Sequence, residues 1–165
     1  MKKVVKMFVI LTVMAMSVMT VSAQTKGDMA VGGNVIYAIG EYDYSNIGLG
    51  AKFQYNIMDP LRLEGGFNYL LKKDNISFWD LSAYAHYLFN VADKINVYPI
   101  AGIGILGAKS SYSEGSDSNT KLAISLGAGI DYSLTEKLAL TADYKYKIVD
   151  NSNFSFISVG IAYKL

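Results

Sequence analysis

The residues of this chain that could carry chemistry are charged side chains set two positions apart within otherwise apolar segments. A spacing of two puts side chains on one face of a β-strand, so these groups are expected to share one face of a sheet. Their basic and acidic members nearly balance, and buried charges must be paired. The pattern predicts an internal ion-pair network that fills and stiffens the protein, with an ion-selective path as the alternative. The predicted network consists of Lys52, Arg62, Glu64, Asp80, His86, Asp131, Asp143, Lys145 and Lys164.

The single histidine is the one candidate for a general base. His86 is followed by Tyr87 and Leu88, and no serine lies beside it that it could activate. With one histidine and no cysteine, neither a metal site nor a cofactor is expected. His86 is therefore predicted to be a hydrogen-bonded member of the internal network, with no catalytic residue in the chain.

A polar stretch over Ala108–Thr120, rich in Ser, Gly, Asp and Asn, is predicted to be the longest loop. Glu114, Asp117 and Asn119 offer oxygen ligands, but calcium sites need ligands at fixed spacing around a sharp turn, and that pattern is missing. Binding specificity commonly resides in exposed loops. An extracellular ligand is therefore expected to contact Lys109–Thr120, Glu41–Ser45 or Asp150–Asn153.

Strands are needed to position these groups, and the chain offers eight segments in which bulky apolar residues alternate with small or polar ones. Tight turns are predicted at Met58–Pro60, Asn90–Lys94 and Ser133–Lys137. Pro99 cannot donate to a strand ladder, so a bulge there or a later strand start is expected. The segments are Met29–Ile39, Asn46–Ile57, Leu61–Lys72, Trp79–Phe89, Ile95–Leu106, Lys121–Tyr132, Leu138–Ile148 and Phe154–Leu165.

The last segment has nothing after it to pair with, so it is expected to pair with the first. A sheet whose last strand pairs with its first is a barrel, and closure removes the exposed edges. Eight strands joined by short connections are enough for such a barrel. The predicted fold class is therefore all-β, an eight-stranded antiparallel up-and-down barrel.

The amino-terminal segment resembles a secretory leader. Lys2, Lys3 and Lys6 precede an apolar run, and Val21-Ser22-Ala23 supplies small residues for cleavage. Cleavage between Ala23 and Gln24 is expected, giving a signal peptide over 1–23 and a barrel domain over 24–165. An uncleaved anchor is the alternative, but the run is shorter than the ~20 residues that a spanning helix needs. The chain's fifteen basic residues, less the leader's three, leave twelve against fourteen acidic ones. This balance does not suggest nucleic-acid binding.

Two features predict that the apolar face of the barrel meets lipid. The polar face is rich in glycine, which suits a crowded lumen better than a soluble surface. The aromatic residues of the apolar face cluster towards strand ends, as in the two aromatic girdles of membrane barrels. A soluble, lipocalin-like barrel with its apolar face inside is the alternative. The predicted belt residues are Tyr37, Tyr55, Tyr69, Trp79, Tyr87, Phe89, Tyr132, Tyr144, Tyr146 and Tyr163.

With a leader, eight alternating strands and a terminal apolar-aromatic strand, the chain resembles the OmpA/OmpX-type eight-stranded outer-membrane β-barrel family. The resemblance implies a bacterial outer-membrane location and a terminal strand read by the barrel-assembly machinery. In that family the final residue is usually aromatic, whereas this chain ends on Leu165, with Tyr163 two residues before. No peptidoglycan-binding domain is expected after the last strand.

The function that follows is structural or concerned with cell-surface interactions, with outer-membrane lipid as the surrounding medium. A narrow channel for small solutes or ions is the first alternative. A lipid A-modifying enzyme is the second, although His86 lacks the His-x-Ser pairing of the deacylases of this architecture. The strand direction also places His86 near the periplasmic side, away from the outer leaflet on which such enzymes act.

Overall fold

The structure, a computed structural model, describes residues 25–40, 45–73, 76–112 and 115–165. The predicted leader, its cleavage site at Ala23 and Gln24, and most of the Glu41–Ser45 connection lie outside these ranges. The strands are β1 (Met29–Gly40), β2 (Ser45–Asn56), β3 (Leu61–Lys73), β4 (Ile76–Tyr87), β5 (Phe89–Ala92), β6 (Ile95–Tyr112), β7 (Gly115–Ser133), β8 (Leu138–Val149) and β9 (Ser152–Lys164).

The strands form one closed antiparallel sheet. Each strand pairs with the next one in the chain, except that β4 and β5 both pair with β6, and β9 pairs with β1 from Ala30 opposite Lys164 to Gly40 opposite Phe154. β4 and β5 lie end to end along β6, because the register of His86 opposite Ile100 continues unshifted to Phe89 opposite Val97. Because β4 and β5 share one position in the barrel wall, the nine strands occupy eight positions, each of which we call a stave. This confirms the predicted eight-stranded barrel.

Pro99 lies inside β6, with no shift in its pairing to Ala128 of β7, so neither the expected bulge nor a later strand start occurs there. The irregularity falls on the facing stave instead. The Leu88 amide donates to the Pro60 carbonyl at 2.6 Å, so the backbone groups of the preceding Tyr87 face β6. At this height β6 carries Pro99, which has no N–H to donate to Tyr87. β4 ends at Tyr87, and β5 begins at Phe89.

The two ends of the barrel differ. At one end, called the terminal end, the Leu165 amide donates to the Met29 carbonyl at 2.9 Å. The tight turns near residues 57–60, 93–94 and 134–137 lie at the same end, the second being shorter than predicted because β5 runs to Ala92. At the opposite, distal end, β8 and β9 are joined at Asp150 and Asn151, and Asn151 has a positive φ of 61°.

The prediction of a long loop over Ala108–Thr120 is wrong. β6 and β7 have 18 and 19 residues, against 12 or 13 in the other full-length strands, and they pair up to Tyr112 opposite Gly115. Pairing of β7 with β8 stops at Ala123 opposite Val149. At about 3.3 Å per residue, the segment of β7 beyond Ala123 extends on the order of 25 Å past its pairing with β8, whereas on the other side β4 pairs with β6 up to Ile76 opposite Ser110. We call the paired residues 109–112 and 115–120 the distal hairpin.

Burial alternates residue by residue along the strands, as the sequence pattern predicts. In β2, Lys52, Gln54 and Asn56 are buried while Leu49 and Phe53 are exposed. The exposed face of the long strands is mainly aliphatic and aromatic, and the buried charged side chains of the strands lie in the lumen. Among the described residues no helix is long and apolar enough to cross a membrane.

Candidate functional site

The lumen gathers eight of the nine predicted network residues. Successive residues of a strand face opposite sides of the sheet, and the register brings the inward positions of neighbouring staves to similar heights. Lys164 is different, since its ammonium lies 2.7 Å from Asp28 at the terminal end and its side chain is 40% exposed. The eight that are less than a tenth exposed are Lys52, Arg62, Glu64, Asp80, His86, Asp131, Asp143 and Lys145.

A ninth lumen charge was not among the predicted network residues. The Lys147 ammonium is fully buried and contacts Asp80 Oδ1 at 2.6 Å. It also donates to the Tyr84 hydroxyl at 2.8 Å and to Ser82 Oγ at 3.0 Å, which uses all three of its protons. Asn68 donates to the other Asp80 oxygen at 2.7 Å. The sequence carried the information, because Lys147 continues the spacing of two set by Asp143 and Lys145.

The middle of the lumen holds the second set of charges. The Lys145 ammonium lies 2.6 Å from Asp143 Oδ1 and 3.9 Å from Glu64 Oε1. Gln54 donates to Glu64 Oε2 at 2.7 Å. Lys52 donates to the Thr141 hydroxyl at 2.7 Å. These contacts link strands on different sides of the lumen, so the network crosses the barrel interior.

The third set surrounds His86. Arg62 pairs with Asp131 at 2.6 Å and donates from Nε to His86 Nδ1 at 3.2 Å. A guanidinium only donates, so Nδ1 accepts and the ring is neutral with its proton on Nε2. The ring stacks on Tyr98 at 4.8 Å between centroids, and Tyr98 donates to Asp131 at 2.9 Å. Among described residues, His86 Nε2 and Ser125 Oγ are buried without a hydrogen-bond partner. The histidine is thus arranged as part of a network, and within the described part of the chain Arg62 is the hydrogen-bonding partner of its ring.

Glycines make room for the lumen tyrosines. A Cβ at Gly102 would overlap the ring of Tyr84, and one at Gly129 would overlap the ring of Tyr98. Both glycines lie in the β6–β7 part of the wall. The small residues predicted for the lumen face therefore act as the surface on which two large rings lie.

The distal half of the lumen is mainly apolar, with Asn46 as a buried polar residue opposite Ala38, and the alternation of the sequence did not predict this. Its apolar members come from six strands and are at most 9% exposed. We call them the apolar plug: Ile36, Ala38, Leu70, Leu106, Ala123, Val149, Phe154 and Phe156. The Lys147 ammonium lies 5.0 Å from the Phe156 ring centroid, so the plug rests directly on the charged network. At the terminal end, a cavity of about 80 Å³ has Gln54, Arg62, Asn96 and Asp131 among its lining residues.

The predicted belt aromatics lie largely on the exposed face. Phe89 is an exception at 9% exposed, because the Tyr87 ring covers it at 4.9 Å between centroids. Tyr144 lies near the middle of β8 and not at an end. The members at least 40% exposed are Tyr37, Tyr69, Tyr132, Tyr144, Tyr146 and Tyr163. Of the weak calcium set, Glu114 lies outside the described residues, and Asp117 and Asn119 lie in β7.

Comparison with known proteins gives one family and a set of similar structures. The family model described as the outer membrane protein beta-barrel domain matches residues 8–164. Neisserial surface protein A is similar with a TM-score of 0.71 at 16% identity, covering 89% of this chain and 100% of that one. Ail, the attachment invasion locus protein of Yersinia pestis, gives 0.64 at 19% identity, covering 86% and 100%.

The amino-terminal β-barrel domain of Pseudomonas aeruginosa OprF is a third similar structure, with a TM-score of 0.65 at 15% identity, covering 86% and 100%. Ail also occurs in complex with the heparin analogue sucrose octasulfate. At these identities the likeness concerns the fold alone. No curated protein sequence matches the chain.

Proposed function

The chain belongs to the outer membrane protein beta-barrel domain family, and on that premise we propose that it is a closed barrel that acts through its surfaces and not through its lumen. It resides in the bacterial outer membrane, with its apolar face in lipid. The observation that carries the proposal is the apolar plug stacked on the ion-paired network. An ion crossing the plug would lose its water without finding a polar partner, which is strongly unfavourable.

The charged network on the terminal side of the plug also argues against ion conduction through the lumen. Lys147, Asp80 and Arg62 already have charged or hydrogen-bonding partners inside the protein. A charged group that is already paired within the protein is poorly available to bind an ion passing through the lumen. A stiffened interior, and not a conducting path, is the function that the geometry supports, and the pairing of His86 with Arg62 argues against enzymatic use of the histidine.

Planar-bilayer recording tests the closed lumen. The purified protein is expected to give no steady single-channel currents, while an open porin inserted into the same bilayer shows that the membrane reports conduction. Steady currents that disappear when Arg62 or Glu64 is neutralised would contradict the proposal and favour the narrow-channel alternative.

We propose that contacts with extracellular partners are made at the distal end, above all by the distal hairpin. Its support is that β7 extends well past the end of its pairing with β8, and that β6 and β7 remain paired beyond Ile76 at the start of β4, while the plug closes the lumen beneath them. Ail, with the same fold, binds a heparin analogue, which shows that such a barrel can hold an extracellular ligand. Binding to intact cells, compared between wild type and a deletion of 109–120, is expected to fall for the deletion. Equal binding by two correctly folded proteins would contradict this proposal.

We further propose that the terminal end faces the periplasm, that the leader over 1–23 is removed, and that β9 is read by the barrel-assembly machinery. Tyr163 and Leu165 are the residues of this strand that the machinery would distinguish. Assembly by purified machinery is expected to be faster for Leu165→Phe than for wild type, and an unchanged rate would remove Leu165 from the recognition signal.

A further inference from the structure

The outer surface of the barrel has a groove on the face made by β4, β6, β7 and β8. Its volume is about 610 Å³, within the roughly 300–1,000 Å³ typical of ligand sites. The floor consists of Ala85, Pro99, Ala101 and Ala128. Leu61 and Tyr87 line one side and Tyr144 and Tyr146 the other.

The groove follows from the register of small residues on adjacent staves. Ala101 lies opposite Ala85 of β4 on one side and Leu126 of β7 on the other. Pro99 lies opposite Ala128, which in turn lies opposite Tyr144. The remainder of the outer face carries mainly Leu, Ile, Val, Phe and Tyr. Four short side chains clustered on neighbouring staves therefore leave a depression within an otherwise bulky surface.

Both walls are held in place by contacts outside the groove. On one side the Tyr144 hydroxyl is hydrogen-bonded to the Ser155 hydroxyl at 3.0 Å, which fixes the direction of its ring. On the other side the Tyr87 ring packs against Phe89 at 4.9 Å between centroids. When a molecule fills a groove whose walls are already fixed, the lining side chains lose little conformational entropy. This favours a long-lived occupant over fast exchange.

The position of the groove on the barrel indicates which kind of molecule fills it. The groove opens on the apolar outer face and begins beside Leu61, the first residue of β3 at the terminal end. This face lies in the bilayer, where the molecules present are lipids. A flexible hydrocarbon chain can follow the floor and contact both walls.

We propose that this groove is a specific binding site for a phospholipid, whose acyl chain lies along Ala85, Ala101 and Ala128 between the two aromatic walls. The head group lies at the terminal end, beside Leu61 and Tyr87. The site differs from the rest of the lipid-facing surface in depth and in its fixed walls, so the bound lipid exchanges more slowly than its neighbours.

Photo-cross-linking in vesicles tests the site. The full chain is folded into vesicles of phosphatidylethanolamine and phosphatidylglycerol that contain a phosphatidylethanolamine with a photoactivatable acyl chain. After irradiation, peptides carrying Ala85–Tyr87, Pro99–Ala101 and Leu126–Ala128 are expected to be labelled several-fold more than peptides from the opposite face around Ala51. Uniform labelling around the barrel would overturn the proposal, because it would leave only the ordinary lipid shell.

Filling the floor provides the matched control. Ala101→Leu combined with Ala128→Leu is expected to reduce labelling of the groove peptides several-fold, while Ala51→Leu on β2 leaves it unchanged. Both changes put leucine in lipid, where it is well tolerated, and Ala101→Val is a milder variant if the double one folds poorly. Undiminished labelling in the folded variants, or a cross-link from the groove to a second copy of the chain, would also overturn the proposal.

Discussion

The distal and terminal halves of the lumen lie on the same face of the same staves, yet they are filled with different chemistry. Phe156 and Leu70 belong to the apolar cluster of the distal half, whereas Asp80 and Arg62 below them are paired through charged hydrogen bonds. Apolar contacts are not directional, so the plug can rearrange around a change. Each charge in the network depends on a particular partner. The comparison therefore implies different tolerance to substitution in the two halves.

The largest effect is expected from removing one charge of the network. Asp80→Ala would leave the Lys147 ammonium buried with only neutral acceptors, and breaking a buried pair in this way costs about 3–5 kcal/mol. The free energy of unfolding in urea, measured in lipid vesicles, reports the loss. Asp80→Ala combined with Lys147→Met should recover most of it. A loss below about 1 kcal/mol, as for exposed ion pairs, would place the network on a level with surface charges.

A smaller effect is expected in the plug. Leu70→Ala removes buried methyl groups and leaves a cavity, for which roughly 2–4 kcal/mol is expected. Leu70→Met keeps the volume and should cost less than about 1.5 kcal/mol, by the same unfolding measurement. Leu49→Ala on the exposed face of β2 serves as the control for lost apolar surface. If Leu70→Met were as costly as Asp80→Ala, the proposed difference in tolerance would be wrong.

The smallest effect belongs to the ion pair between Asp28 and Lys164 at the terminal end. Burial acts to raise the pKa of Asp28, but hydrogen bonds from Lys164 and Thr25 outweigh it, and the pKa lies below its ordinary value of 3.8. A lowered carboxylate pKa stabilises the folded state at pH well above 3.8, and this contribution is lost as pH falls through the lowered value. The wild-type minus Asp28→Asn difference in unfolding free energy should be within roughly 1 kcal/mol at neutral pH and vanish in acid. A difference that grew on acidification would contradict the assignment.

The alternation of the sequence predicted the barrel because a period of two fixes both the strand and the face of each side chain. It failed at the distal hairpin, where Ser, Gly, Asp and Asn between 108 and 120 resemble a loop. Those residues pair because the β6–β7 register continues past Ala108 opposite Asn119, an effect of neighbouring pairs that single-residue propensity does not contain. Pro99 was likewise recognised as irregular, but the sequence did not reveal that the facing stave would carry the interruption.

The sequence predicted which face of the sheet the network residues occupy, but not which of them pair with one another. Periodicity placed Asp80 inward, whereas its pairing with Lys147 depends on the closed barrel, which brings β4 and β8 within reach across the lumen. The apolar plug was missed for a related reason. Ile36 is a bulky apolar residue between the inward-facing Asn34 and Ala38 of β1, and only the closed register shows it beside Leu70 and Phe156. Lys164 was assigned to the network because the period does not show where a strand leaves the lumen.

The seam between β1 and β9 also has a consequence for the order in which the barrel folds. β6 and β7 are neighbours along the chain, so their ladder can grow from the connection with little entropy lost to loop closure. The seam joins Ala30 to Lys164, nearly the whole length of the described chain apart, and contacts of such separation form slowly. We expect the hairpins to form early and the seam to close in the final step, so the kinetic barrier to a finished barrel lies in bringing its first and last strands together.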